Sequence, residues 1–330
     1  MLYPLKFNPI FKEKIWGGNK LQSILNKKTG NYSNVGESWE LSGIQNEISV
    51  VSNGFLKGNN LQEIIEVYMG DLVGESVYKK FGVEFPLLIK LIDANDDLSI
   101  QVHPDDKTAK ERHKAYGKTE MWYILEADED ALIYTGFNKK TDKKEYLEYL
   151  HNGNVAQLMN KKRAFPGDVF YIPSGRVHAI GKGVFLAEIQ QTSDITYRIF
   201  DWNRKDSNGK GRELHTDLAI DVIDYNFYDT YKTHPEIEEN TPNLLSECQY
   251  FTTQIIKLSE SIERDYFSID SFVIYMCTKG SFTIEVNDES YPVYKGETIL
   301  IPAELKNINL VPENEAELLE IYIKTDDEKV

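Results

Sequence analysis

Gly167-Asp168-Val169-Phe170-Tyr171-Ile172-Pro173-Ser174-Gly175-Arg176-Val177-His178 is the stretch on which the reading of the fold turns. Val169 to Ile172 are β-branched or aromatic, the side chains that fit a pleated surface. Gly167 opens the run, and Pro173-Ser-Gly175 closes it with turn chemistry. His178 is therefore delivered just beyond a strand and a tight turn. The pattern recurs as Gly296-Glu-Thr-Ile-Leu-Ile-Pro302, and such a repeat implies two copies of one β unit. The second copy continues Ala303-Glu-Leu-Lys-Asn307, and no histidine follows His234. Chemistry is therefore expected in the first copy.

Outward from this stretch, short strand-like runs alternate with turns. Phe85-Pro-Leu-Leu-Ile-Lys-Leu-Ile92 reads as a buried strand, and Leu98-Ser-Ile-Gln-Val-His103 alternates polar and apolar residues. Glu120 to Leu125 and Ala131 to Phe137 read as a hairpin around the acidic turn Asp128-Glu-Asp130. Val184 to Ile189 returns to strand, as do Phe272 to Met276, Ser281 to Val286 and Glu297 to Pro302. Helices are few. Asn60 is placed to cap Leu61 to Tyr68, with Gly70 and Gly74 ending the helix. Asp142 to about Met159 has helical spacing, and Thr216 is read as capping a helix through Tyr225. Residues 230 to 248, with His234-Pro235 and Thr241-Pro242, read as a linker. Many short strands with regular turns indicate a sandwich or barrel. The organisation expected is a catalytic part over 1–235 and a degenerate barrel over 245–330.

The 330 residues are 41% hydrophobic, enough for real cores, and Tyr (20) and Phe (15) are abundant. The formal net charge of −16 argues against broad nucleic-acid binding, which needs a basic face. A small anionic substrate would need a local basic pocket. No apolar run reaches the ~18 residues of a membrane-spanning helix, and the N-terminus lacks the pattern of a signal peptide. Two cysteines, Cys248 and Cys277, imply no disulfide framework. The expected setting is cytoplasmic, with no nucleic-acid or membrane partner.

Side chains alternate faces along a strand, so Ser99, Gln101 and His103 share one face. Such a polar row either lines a cavity or faces water. Glu120 opens a strand whose next residues, Met121-Trp-Tyr-Ile-Leu125, are apolar and aromatic. Two imidazoles, a carboxylate and an amide oxygen at Gln101, His103, Glu120 and His178 make a sensible site for a borderline-hard divalent metal. A two-histidine, one-carboxylate set also suits iron, so an iron-dependent oxygenase is one rival, and a non-catalytic sugar-binding protein is another.

Gly-Asp-x4-Pro-x-Gly-x-x-His, present at Gly167, Asp168, Pro173, Gly175 and His178, resembles the second cupin motif. Gln101-Val-His103-Pro104-Asp105, Lys118-Thr-Glu120-Met-Trp122, Ile15-Trp16-Gly17-Gly18, Gly36-Glu37-Ser38-Trp39-Glu40-Leu41-Ser42 and Ser193-Asp194-Ile-Thr-Tyr-Arg198 together resemble the type I phosphomannose isomerases. The resemblance implies a mainly β fold of two cupin (jelly-roll) β-barrels with a small helical portion. It implies one zinc per chain, held by Gln101, His103, Glu120 and His178, in a monomer or homodimer. It implies interconversion of mannose 6-phosphate and fructose 6-phosphate through an enediol or enediolate, with Arg198 and Lys118 catalytic. Lys90 and Ser99 match substrate-facing positions on the phosphate side, and Glu188 and Asp194 match acids lining the site. Glu188 serves either as base or to orient its neighbours. Lys118 suits acid–base work or ring opening. Gly117 stands where some members carry a histidine, and the chain is shorter than the eukaryotic enzymes. Arg204, Lys205, Lys210 and Arg212 form a basic patch that meets either the phosphate or water. Trp16 and Trp39 read as packing residues or as the mouth of the site.

Overall fold

Strand-forming runs assemble into three antiparallel sheets in the computed structural model, which describes residues 1–205 and 209–324. A six-stranded sheet runs in the order Ile10–Gly18, Val35–Ser42, Leu87–Asp93, Val184–Gln191, Glu120–Ala127, Val169–Ile172. A five-stranded sheet runs Tyr197–Phe200, Ile100–Val102, His178–Ile180, Leu132–Phe137, Met159–Arg163. The third sheet has eight strands, and all but one of them lie beyond residue 242. The exception is Leu5–Lys6, which pairs with Thr298–Ile301.

The layering follows from which faces are apolar. Trp122, Ile124, Phe170, Ile172 and Leu186 of the six-stranded sheet meet Ile133 and Ile180 of the five-stranded sheet in one buried cluster. The opposite face of the six-stranded sheet, with Leu87, Ile89, Leu91, Met121 and Ile189, packs on Ile255, Ile274, Met276, Leu300 and Ile321 of the eight-stranded sheet. Leu87–Asp93 and Val184–Gln191 are thus covered on both faces, which is why they read as continuous apolar runs. Each fully buried Leu or Ile contributes about 1.5–3 kcal/mol. The outer face of the five-stranded sheet is covered by Tyr146, Val155 and Ala219 from short helices. Helices Leu61–Val73 and Glu75–Phe81 pack Ile64, Ile65, Leu72 and Val77 into the cluster shared with the eight-stranded sheet.

The two repeated segments have the same local form. Gly167 (φ 88°) and Gly296 (φ 83°) both adopt the left-handed conformation that glycine tolerates, and strands Val169–Ile172 and Thr298–Ile301 follow them.

Several expectations are corrected. Glu120–Ala127 and Leu132–Phe137 form no hairpin, because each belongs to a different sheet and has both edges taken by other strands. The acidic turn instead carries the chain from one layer to the other. The helix after His215 spans only Thr216–Ile220, and His215 makes no side-chain cap. Asp224 N–H donates to the Gly175 carbonyl at 2.8 Å, a tertiary bond that draws the chain out of helix. Lys143–His151 is helical, but Gly153 (φ 69°) stops it, and Met159 already begins a strand. The backbone leaves helical geometry at Met69 (φ 44°), one residue before Gly70. The last residues of the expected linker, Asn243–Glu247, form an edge strand. Leu98 to His103 is strand only over Ile100–Val102.

Candidate active site

His103, Glu120 and His178 converge between the five- and six-stranded sheets. One ligand atom from each lies within 4.8 Å of the others. His178 opens its strand directly opposite Gln101, with which it is in register. His103 follows the same short strand, and Glu120 enters from the facing sheet. All three are buried, at 1% exposure or less.

The imidazoles are already oriented. His103 Nδ1 is 2.8 Å from the Ile195 carbonyl and His178 Nδ1 is 2.8 Å from the Arg176 carbonyl. A carbonyl only accepts, so both Nδ1 atoms carry the proton and both Nε2 lone pairs face the cluster. His178 Nε2 stands 3.4 Å from Glu120 Oε1, and His103 Nε2 3.7 Å from Oε2. Among the described residues, Glu120 Oε1 and His178 Nε2 have no hydrogen-bond partner. Leaving a carboxylate oxygen and an imidazole lone pair buried and unsatisfied is costly. Two nitrogens and an oxygen directed at one point fit a divalent cation. Lys118 supplies the nearest positive charge, with Nζ 2.9 Å from Glu120 Oε2 and 3.2 Å from His103 Nε2.

Burial, with Lys118 and His178 beside it, holds His103 well below the usual imidazole range. Burial lowers His178 to about 3. Burial and the nearby Glu188 push Glu120 up to about 7. A cation at the cluster would reverse the last shift by stabilising the carboxylate.

A cavity of about 350 Å³ lies beside this cluster, lined by Lys90, Ser99, Gln101, Lys118, Glu188, Asp194 and Arg198, and Lys118 links the two. These seven and the triad are the ten residues that the sequence offered as catalytic, substrate-facing or metal-binding. Glu188 Oε1 accepts from Lys90 Nζ at 2.9 Å, and Oε2 accepts from Trp122 Nε1 at 2.8 Å. Burial works to raise the Glu188 carboxyl, but Lys90 and Lys118 outweigh it, and the group lies below its ordinary range. Ser99 is buried, whereas Asp194 is exposed at the rim. Trp16 and Trp39 line the wall and are also buried.

Lys12, Lys14, Glu37 and Thr196 also line the cavity, and neither they nor Trp122 behind Glu188 were singled out for it, whereas Arg212 of the basic patch lines it as well. Lys14 pairs with Glu37 at 3.0 Å and Trp39 Nε1 donates to Glu37 at 2.7 Å. The alternation of Lys12, Lys14 and Trp16 along Ile10–Gly18 was the available signal. Of the basic patch, Arg204 and Arg212 are bound to Asp201.

Family comparisons agree with this geometry. Residues 4–155 match the model of the phosphomannose isomerase type I catalytic domain, and 240–322 match that of the mannose-6-phosphate isomerase cupin domain. Mannose-6-phosphate isomerase ManA of Bacillus subtilis is 39% identical over 317 residues, covering 93% of this chain and 95% of that protein. Mannose-6-phosphate isomerase of Streptococcus mutans is 36% identical over 316 residues, with the same two shares. The crystal structure of mannose 6-phosphate isomerase from Bacillus subtilis superposes with a TM-score of 0.85 at 32% identity, covering 98% of this chain and all of that one. Both matched domains, a mainly β fold and identity sustained along nearly the whole length place this chain in the type I phosphomannose isomerase family.

Proposed function

We propose that the chain is a metal-dependent aldose–ketose isomerase that interconverts mannose 6-phosphate and fructose 6-phosphate. The observation that carries the reading is the buried triad with converging ligand atoms, joined through Lys118 to a cavity lined by both cations and carboxylates. His103 Nε2, His178 Nε2 and Glu120 would hold the metal, and Gln101, the register partner of His178, is the fourth ligand. Zinc is the metal of choice for this donor set, and when bound it supplies Lewis-acid polarisation without redox chemistry.

The reaction moves one proton from C2 to C1 of the open-chain sugar and one from O2 to O1. Negative charge develops on the two oxygens as the enediolate forms. Lys118 is the proton-bearing group nearest the ligands, and we assign it the proton transfer at the sugar oxygens and ring opening. Arg198 stabilises developing negative charge or the phosphate from the cavity wall. We assign the C2-to-C1 proton transfer to Glu188, the ionised carboxylate of the cavity wall, which Lys90 and Trp122 hold in place. Lys90 and Ser99 face the substrate, and Asp194 meets it at the rim.

Metal content and coupled isomerase activity of the wild type and His178→Ala test the proposal. The variant is expected to lose both metal and turnover. Turnover undiminished in a metal-free variant would sink it. The zinc-loaded wild type is also expected to work without oxygen, which an iron oxygenase cannot do.

A further inference from the structure

We infer that Asp106, Gln191 and Tyr250 form a positioning network that sets the place of Lys118 and Glu120. The inference rests on the roles given above to those two residues. Gly117-Lys118-Thr119 links the helix Asp106–His113 to the strand that begins at Glu120. A linking segment ordinarily has few fixed bonds, and misplacing a reacting group by about 1 Å costs roughly 100-fold in rate. Here successive backbone N–H groups are all engaged. Gly117 N–H donates to Asp106 Oδ1 at 2.9 Å, Lys118 N–H to the Pro104 carbonyl at 3.1 Å, and Thr119 N–H to Gln191 Oε1 at 2.9 Å.

The supports are themselves tied together. Gln191 Nε2 donates to Asp106 Oδ1 at 2.9 Å, and Gln191 N–H donates to the Thr119 carbonyl at 3.2 Å. Tyr250 Oη donates to Asp106 Oδ2 at 2.7 Å. One carboxylate thus collects three donors, from the segment itself, from the strand that also carries Glu188, and from the C-terminal cupin domain. Space is closed as well. A Cβ on Gly117 would lie 2.5 Å from Asp106 N and 2.6 Å from the Asp105 carbonyl carbon, so the segment runs flush against the start of the helix. Through Tyr250, a domain that lacks the histidines of the site helps to hold the segment that carries two of its working groups.

The network predicts distinct outcomes for four variants. Gln191→Leu and Asp106→Ala are expected to lower kcat about tenfold or more, with KM changing less than about threefold, as for other partners that orient ligands. Asp106→Asn is expected to stay within about threefold of wild type. Its amide oxygen still accepts from Gly117 and Gln191, and its NH₂ donates to the Tyr250 hydroxyl oxygen. Tyr250→Phe, which removes one donor of three, is expected to fall between. The second readout is the visible absorption of Co²⁺-loaded protein. It is expected to change in Gln191→Leu and Asp106→Ala and to be preserved in Asp106→Asn. Folded Gln191→Leu with wild-type kcat and an unaltered cobalt spectrum would overturn the network. A wild type inactive on mannose 6-phosphate would instead defeat the functional reading, and the cobalt spectra would still decide the network.

Discussion

Arg198 is in register with Gln101 across the strand pair and so projects beside the ligand set. It is half-buried, its Nη1 donates to the Glu213 carbonyl at 2.9 Å, and its Nε has no partner among the described residues. Asp201, the nearest acid of its own segment, is taken by Arg204 and Arg212. Among the described residues, Arg198 therefore has no carboxylate within ion-pair distance, and its charge is available to a substrate oxygen. A guanidinium directed at developing charge is worth about 2.7–4 kcal/mol when removed, by analogy with a lost oxyanion donor. Arg198→Ala should keep its metal and lose roughly 10²–10³ in kcat. Metal analysis beside steady-state kinetics checks both halves, and wild-type kcat in the variant would remove Arg198 from the mechanism. Lysine should restore only part of the loss, because an ammonium lacks the planar fork.

The helix Leu61–Val73 shows how elements are specified. Asn60 Oδ1 accepts from Glu63 N–H at 3.0 Å, and Glu63 Oε2 accepts from Asn60 N–H at 2.8 Å, a reciprocal capping box. Asn60→Ala should cost about 1 kcal/mol and lower the thermal midpoint by about 2–4 °C, with turnover unchanged. An unshifted midpoint would show that the cap contributes nothing. Local rules of this kind made the cap, the repeated glycine–strand–proline unit and the strands legible in the sequence. Strand partners were not legible. Nothing between Glu120 and Phe137 reveals that its two strands separate into different sheets, because alternation and turn residues report a strand's faces and ends but not its neighbours. The site divides in the same way. His103 and His178 declared themselves by alternation and by the turn before His178. Lys12, Lys14 and Glu37 looked like ordinary strand residues until folding brought them to the cavity. Asp106 lies 85 residues from Gln191 and 144 from Tyr250, a separation no local pattern spans.

On the scale of the whole molecule, a chain of net charge −16 surrounds a cavity whose lining has six cationic side chains and four carboxylates. The global field opposes an anionic sugar phosphate, and the local excess of positive charge draws it in. Burying the triad also ties stability to pH. In the metal-free protein, His103 and His178 bind protons far more weakly than in the unfolded chain, His178 only near pH 3. As pH falls through the unfolded imidazole value of about 6.5, unfolding takes up protons that the folded state excludes, and stability falls. Glu120 acts oppositely, because its folded value of about 7 lies above the unfolded one. It gains a proton earlier in the folded state, which offsets one of the two imidazoles between about pH 6.5 and 4.5. Two imidazoles outweigh one carboxyl, so the net effect is a loss of stability as pH falls below about 6.5. A divalent metal bound at the triad would keep the imidazoles neutral and Glu120 ionised, which would remove the offset and steepen the slope. Urea unfolding of the metal-free wild type and His178→Gln between pH 6.5 and 5 should show the wild type losing stability faster, since the variant has one imidazole fewer to protonate. Parallel curves would mean that His178 is not held neutral by its burial between the sheets.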